Sequence, residues 1–435
     1  MTYEQAVQYL EEASSFGIKP GLERITALLA ELGNPEKSYK IVHVTGTNGK
    51  GSVTTYVSYA LFNSGLRVGR FTSPHLESYT ERMHINDANI SEDGFGALIE
   101  RVKPAVDAII AKGIEAPTQF EILTAAAFLF FQEQEVDYAV VEVGLGGLLD
   151  STNVVTPVVS VITNVSIDHQ AYCGNTIEEI AHHKAGIIKE GIPVVTAAQG
   201  GALNVIEDEA TAKHAPLYVF NKRFGIGSCS SMKTGQMVTV STEDGQPAML
   251  FTSLVGIHQA VNISCALMTV RLLMDQDSSI SEETMREGFA RATWPGRFEI
   301  KKHNDRTYIF DGAHNAAGAE AFGMTYKELF KDEPKTIIMA ILSDKDEQAI
   351  IREVVKPQDT VYTVPAPTPR SENPLALGKT ISDMVKTAEV EVSTTVSDAL
   401  TTATETTKSG DTIVVCGSLY ILGEARAWLQ QQDSH

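Results

Sequence analysis

A chain of 435 residues with 43% hydrophobic and 21% charged residues is longer than one core needs and too ordinary in composition for disorder, so two domains of unequal size are expected. The formal net charge of −20 opposes nucleic acid as a partner and welcomes divalent cations, while a local lysine and backbone amides can still hold a small anion. The four cysteines, Cys173, Cys229, Cys265 and Cys416, form no CxxC pair, which argues against a disulfide framework or zinc site and suits buried residues in a reducing cytoplasm. Met1-Thr2-Tyr3-Glu4 opens no signal peptide, and apolar stretches such as 125–131 are too short for a bilayer, so a cytoplasmic protein with no membrane partner is expected.

In chain order, a strand over 41–45 runs into Gly46-Thr47-Asn48-Gly49-Lys50-Gly51-Ser52 and a helix over 52–63, with Val53, Tyr56, Val57, Ala60 and Leu61 on one face and Gly65 past its end. In such a strand–loop–helix unit the loop N–H groups point at a polyphosphate and the helix N-terminus adds positive potential. Lys50 neutralises the β- and γ-phosphates, and Ser52 offers its hydroxyl to magnesium. The ordinary P-loop spacing is not met, because only two residues separate Gly46 from Gly49 and Gly51 stands between Lys50 and Ser52. The structural alternative is a glycine-rich turn before a helix.

Further strands are read over 67–71, 138–143, 158–163 and 193–196, alternating with helical patterns, which defines an α/β protein with a mostly parallel sheet. Glu142 closes an apolar strand at the carboxyl edge, the ligand side of such sheets; magnesium or a basic side chain would compensate it. Gly144-Leu145-Gly146-Gly147 lacks the glycine pattern that leads into a dinucleotide-binding helix, so no nicotinamide site is read there. Asp168-His169 follows the next strand, and His169 reads evenly as a metal ligand or general base and as a structural histidine. Thr176 and Glu179 form a capping box for a helix with Ile177, Ile180, Ala181, Ile187 and Ile188 on its apolar face. Lys184 shares that face, so its burial is expected, and burial raises the neutral fraction of a lysine. A neutral amine adds carbon dioxide to give a carbamate, a carboxylate-like metal ligand; a buried Lys–carboxylate pair is the alternative. His182 and His183 read as solvent-facing.

Residues 224–255 alternate in short runs and read as hairpins appended to the first domain. Trp294-Pro295-Gly296-Arg297 is the expected boundary, dividing the chain into 1–296 and 297–435. Strands at 308–310, 336–341, 360–364 and 412–415 then make a smaller α/β domain, with Asp311-Gly312-Ala313-His314-Asn315 at the end of the first of them.

Together these stretches resemble the folylpolyglutamate synthase and bifunctional dihydrofolate synthase family of the Mur ligase superfamily, over nearly the whole chain from about Gly21 to Gly417. The likeness is carried by His43 to Ser52, Ser73-Pro74-His75-Leu76 with Tyr79-Thr80-Glu81-Arg82, Phe120-Glu121, and Glu142 to Gly147. It continues through Asp150 with Thr152-Asn153, Asp168-His169, Lys184 to Lys189, Gly256 with His258-Gln259 and Asn262, Pro295-Gly296-Arg297, Asp311 to Asn315, and Ser343-Asp344-Lys345-Asp346.

The resemblance implies a P-loop-type ATP-binding domain with a folate site over 1–296, and a smaller Rossmann-like domain over 297–435 contributing to nucleotide and glutamate binding. Carried over, Thr47, Asn48, Gly49, Lys50, Gly51 and Ser52 bind the triphosphate, and Ser52, Ser73, Glu142 and His169 are magnesium positions. Lys184 matches a lysine that becomes carbamylated and helps hold a second magnesium. Asn262, Arg297 and Asp311 meet the nucleotide from the far side; Arg82, His314 and Ser418 lie near glutamate; Lys50, Lys184, Asp311 and His314 form the catalytic set. The implied partners are ATP, L-glutamate and a folate or dihydropteroate, and Gly21-Leu22-Glu23-Arg24-Ile25, which resembles a pterin-site segment, suits either acceptor. A monomer fits two domains that must hinge. The rivals are a Mur-type ligase acting on a cell-wall precursor, a P-loop kinase or ATPase, and a non-catalytic nucleotide-binding regulator. Leu148, where many members carry arginine, and Ala316, where proline is common, depart from the pattern.

Overall fold

The structure is a computed structural model that describes residues 1–14, 17, 19–243, 245 and 247–433. The chain packs as two compact units. Met1–Ser228, Thr239–Leu250 and Val261–Ala292 form the first, and Cys229–Val238, Phe251–Ala260 and Thr293–His435 the second.

The first unit is built on eight strands: β1 (Lys40–Thr45), β2 (Val68–Phe71), β3 (Met83–Ile85), β4 (Ala88–Asn89), β5 (Tyr138–Glu142), β6 (Val159–Ile162), β7 (Val194–Thr196) and β8 (Leu217–Val219). Their order is β4-β3-β2-β5-β1-β6-β7-β8. Strands β2 and β5 to β8 run parallel with β1, and only the short β3–β4 edge is antiparallel. A parallel sheet covered on both faces needs apolar side chains at consecutive positions, and β2, β5 and β6 are buried throughout. Helices Tyr3–Ser14, Glu23–Glu31, Glu92–Ala111 and Gln119–Glu133 contribute to one core, centred on residues such as Leu10, Phe95, Phe128 and Phe131. Helices Ile177–Ala185 and Gly200–Ala212 contribute to another, with Ile162, Val194 and Ile206.

Because chain order reverses about β1, with β5 on one side and β6 on the other, the sheet has its switch point there. The loops after β2, β5, β1 and β6 therefore emerge side by side. The helix after β1 spans Lys50–Asn63, two residues earlier than its expected start.

Strands β9 (Phe224–Met232), β10 (Gly235–Thr242) and β11 (Ala248–Thr252) form a three-stranded sheet in the order β11-β10-β9. Residues 229–238 and 251–260 group with the second unit, where the sequence suggested a simple appendage of the first. Helix Ile257–Met274 is long and apolar enough to cross a membrane, but most of it is buried inside the protein.

The second unit carries β12 (Glu299–His303), β13 (Arg306–Phe310), β14 (Lys335–Met339), β15 (Thr360–Thr363), β16 (Glu389–Val392) and β17 (Thr412–Cys416), ordered β12-β13-β17-β14-β15-β16. All pairs are parallel except the β12 edge. Phe298, Phe322, Tyr326 and Phe330 stack beside this sheet within its core.

Candidate active site

The loop after β1 is a braced cradle. Gly46 and Gly49 adopt φ of 150° and 84°, and a Cβ on either would overlap Thr163 Oγ1 or Asn262 Oδ1, respectively. The segment after β6 holds the loop in place. Thr47 N–H donates to the Asn164 carbonyl at 2.9 Å and Asn48 N–H to Asn164 Oδ1 at 2.9 Å. Thr163 Oγ1 and Asn164 Nδ2 donate to the Asn48 carbonyl at 2.6 and 2.9 Å. Gly49 is the N-cap residue, so the cradle passes straight into the helix. Lys50 Nζ reaches back to the carbonyls of Gly46 and Thr47 at 3.1 and 3.3 Å, and Ser52 is buried one turn in. A cation, a helix N-terminus and inward-set glycines are the features that polyphosphate sites use.

Glu142 is buried at the end of β5, and Ser73 N–H, just past β2, donates to its Oε2 at 3.2 Å. Among the described residues no three of His, Cys, Asp and Glu gather as a metal cluster. The Glu142 carboxylate and the hydroxyls of Ser52 and Ser73 are nevertheless oxygen ligands of the kind that suits magnesium, which keeps waters and binds phosphates instead of requiring a protein cage. His169 is exposed at φ 52°, its N–H bonded to Asp168 Oδ1 at 2.8 Å.

The glycine loop after β5 has a packing role that its sequence did not reveal. Leu148 N–H donates to the His183 carbonyl at 2.7 Å, and a Cβ on Gly147 would come within 2.7 Å of that oxygen and 3.1 Å of the Lys184 carbonyl. Both obstacles are backbone, so Gly147→Ala is expected to cost about 1–3 kcal/mol by forcing the loop off the Lys184 helix, read as a lowered melting temperature. Asp150 Oδ2 accepts from Leu145 N–H at 2.8 Å, and its Oδ1 accepts from Thr152 Oγ1 at 2.5 Å. Thr152 Oγ1 is 2.8 Å from His43 Nε2. Burial pushes the Asp150 carboxyl up and holds His43 neutral, near pKa 3.

Lys184 is buried, as its helix face implies, and desolvation followed by the charge of Lys50 brings its pKa down to about 7. Among the described residues no carboxylate comes within ion-pair distance of it, so the buried Lys–carboxylate alternative is not what forms. His182 is exposed and His183 half-buried. Ile187 and Ile188 are buried as expected, although the helix ends before them at Ala185.

Sequence reasoning gave Phe120-Glu121 no physical task; it braces the Gly21–Ile25 segment. Arg24 Nε pairs with Glu121 Oε2 at 3.1 Å, and the same oxygen accepts from Thr118 N–H at 2.7 Å. Arg82 is half-buried at the end of the turn Tyr79–Arg82, and Asn262 lies against the cradle at Gly49.

In the second unit Asp311 follows β13 and is buried, with Oδ2 accepting from Phe298 N–H and Oδ1 from Ala313 N–H, both at 2.8 Å. Burial raises its pKa, while Arg297, packed against Gly312, opposes the rise. His314 Nδ1 is 2.7 Å from the Gly312 carbonyl, which can only accept, so Nδ1 carries the proton. Ala316 is the first residue of helix Ala316–Phe330, a position that suits proline and tolerates alanine. Ser418 is buried after the neighbouring β17, accepting from Tyr420 N–H at 3.3 Å. His258 follows Ile257 at the start of helix Ile257–Met274. Burial and then Arg297 hold it near pKa 4.

Residues 44–270 match the Mur ligase middle domain, and residues 297–428 match the dihydrofolate synthetase C-terminal domain. A dihydrofolate synthase/folylpolyglutamate synthase of Bacillus subtilis is 37% identical over 98% of this chain and 99% of its own length. The crystal structure of a folylpolyglutamate synthase from Thermotoga maritima superposes with a TM-score of 0.86 at 39% identity, covering 99% of this chain and 97% of that one. A Mycobacterium tuberculosis folylpolyglutamate synthase complexed with ADP gives 0.90 at 32%, covering 98% of each chain. Two parallel-sheet units with a phosphate cradle on the first thus define a Mur-type ligase. Within that class the chain belongs to the folylpolyglutamate synthase and dihydrofolate synthase family.

Proposed function

We propose that this protein joins L-glutamate to the γ-carboxylate of a tetrahydrofolate, and also to dihydropteroate, in an ATP- and magnesium-dependent reaction through an acyl phosphate. The observation that carries the reading is the braced Gly46–Ser52 cradle, set at the same sheet edge as buried Glu142 and accompanied by buried Lys184, which forms no ion pair among the described residues. The γ-phosphoryl group passes to the acceptor carboxylate; the glutamate amine then attacks the acyl carbon, and phosphate leaves. Lys50 and the loop amides offset charge on the transferring group.

Ser52, Ser73 and Glu142, joined by His169, would hold magnesium, which when bound neutralises phosphate charge. Lys184 as its carbamate would supply a second magnesium position. The first unit then carries ATP and folate. The second contributes Arg297 and Asp311 to the nucleotide, with Asn262 from the first, and His314 and Ser418 to glutamate, together with Arg82. We read the enzyme as a monomer and as cytoplasmic, the compartment that its free cysteines suit.

The test is mass spectrometry after incubation with ATP, magnesium, L-glutamate and either tetrahydrofolate or dihydropteroate. A gain of one glutamyl unit is expected. ADP release without amide would leave an ATPase, and turnover only with a cell-wall nucleotide precursor would leave a different Mur-type ligase.

A further inference from the structure

The turn that carries Arg82 is organised around Glu81. Its carboxylate accepts from the N–H groups of Leu76, Glu77 and Ser78 at 2.8, 2.8 and 2.7 Å, and Ser78 caps the turn Tyr79–Arg82. From outside the loop, Tyr3 hydroxyl accepts from Tyr79 N–H at 3.1 Å, and Gln119 Nε2 donates to Tyr79 hydroxyl at 2.8 Å. Fixed in this way, the two ends of the loop meet. Arg82 Nε donates to His75 Nδ1 at 2.8 Å, and the Tyr79 ring lies 4.4 Å from the imidazole centroid and 5.3 Å from the guanidinium carbon. Nδ1 must therefore be the unprotonated nitrogen of His75.

We propose that His75 is a positioning residue for glutamate recognition: its Nδ1 takes the Nε–H of Arg82, fixing the guanidinium plane so that the two terminal nitrogens meet a substrate carboxylate as a fork. The proposal rests on the reading of Arg82 as a glutamate-site arginine. With Nε committed to His75, bidentate recognition uses the terminal nitrogens, and a side chain that rotates freely about its last bonds would meet the carboxylate in a poor geometry much of the time.

The test is steady-state kinetics with L-glutamate varied at saturating ATP and folate, on His75→Leu, His75→Gln, His75→Asn and Arg82→Ala. Asparagine puts an amide oxygen near the position of Nδ1, whereas glutamine reaches toward Nε2. His75→Leu and His75→Gln are expected to raise the glutamate KM roughly tenfold, with kcat and the ATP KM within about threefold. His75→Asn should stay within about twofold of the parent, and His75→Leu should add nothing further in an Arg82→Ala background.

A glutamate KM that Arg82→Ala raises and His75→Leu does not would overturn the proposal while sparing the role of Arg82. A KM insensitive to Arg82→Ala would overturn both. Should His75→Leu fail to fold, judged by circular dichroism, the Asn–Gln contrast decides: equal behaviour of the two excludes a role for the Nδ1 acceptor.

Discussion

Lys50→Ala is expected to lower kcat/KM for glutamate ligation by roughly 10³-fold, with the melting temperature nearly unchanged. The large effect follows from where charge develops. The phosphoryl group in flight spreads negative charge over its oxygens, and a preorganised cation in the loop acts there without reorganising. The small effect on folding follows from what Lys50 holds in the protein alone, two hydrogen bonds to loop carbonyls from a half-buried side chain. The Thr163 and Asn164 contacts that shape the cradle do not involve it. A glutamylation assay paired with thermal denaturation checks both halves. Ligation above about a tenth of the parent rate would remove Lys50 from the transfer step, and a large fall in melting temperature would turn it into a structural residue.

The parallel strands were legible because burial on both faces forces near-continuous apolar runs, as in 138–143 and 158–163. The strands that escaped notice lack that constraint. Strand β16 reads Glu389-Val-Glu-Val at a sheet edge, β12 carries two lysines on the other edge, and β3 and β4 are three and two residues long. A similar division holds at the site. The Lys50 loop is local grammar, readable from consecutive residues. The Thr163–Asn164 brace joins residues more than a hundred positions apart, and only the adjacency of β1 and β6 brings it into being. The same holds for Arg24 with Glu121, paired across 97 positions, and for Gly147, whose small size answers the backbone of a later helix. Lys184 lies between these cases. Helical periodicity indicated burial, whereas the lack of an ion-paired carboxylate among the described residues is a property of the packed structure.

That lack gives Lys184 an opposite signature in stability and in activity. The group titrates at about 7 in the folded protein against 10.5 as a model side chain. Between those values the unfolded chain holds the extra proton, so this group makes stability rise as pH climbs from 7 toward 10.5. Below 7 both states are protonated and the full desolvation cost is present. Lys184→Met keeps the apolar stem and removes the ammonium, so its melting temperature at pH 6 is expected to rise, by roughly 2–4 °C for each kcal/mol recovered, with a smaller gain at pH 10. Ligation should fall at least ~10²-fold in the same variant if the amine supplies a metal-binding carbamate. The parent enzyme would then lose activity as pH drops through 7, because a protonated amine cannot add carbon dioxide. Lys184→Ala separates the carbamate from a purely structural lysine, since it opens space for a short carboxylic acid. Partial recovery of ligation with added acetate or propionate, saturating in both the acid and magnesium, is the expected result. Activity lost without recovery, and with unchanged magnesium dependence, would leave Lys184 a structural cation near the phosphate loop.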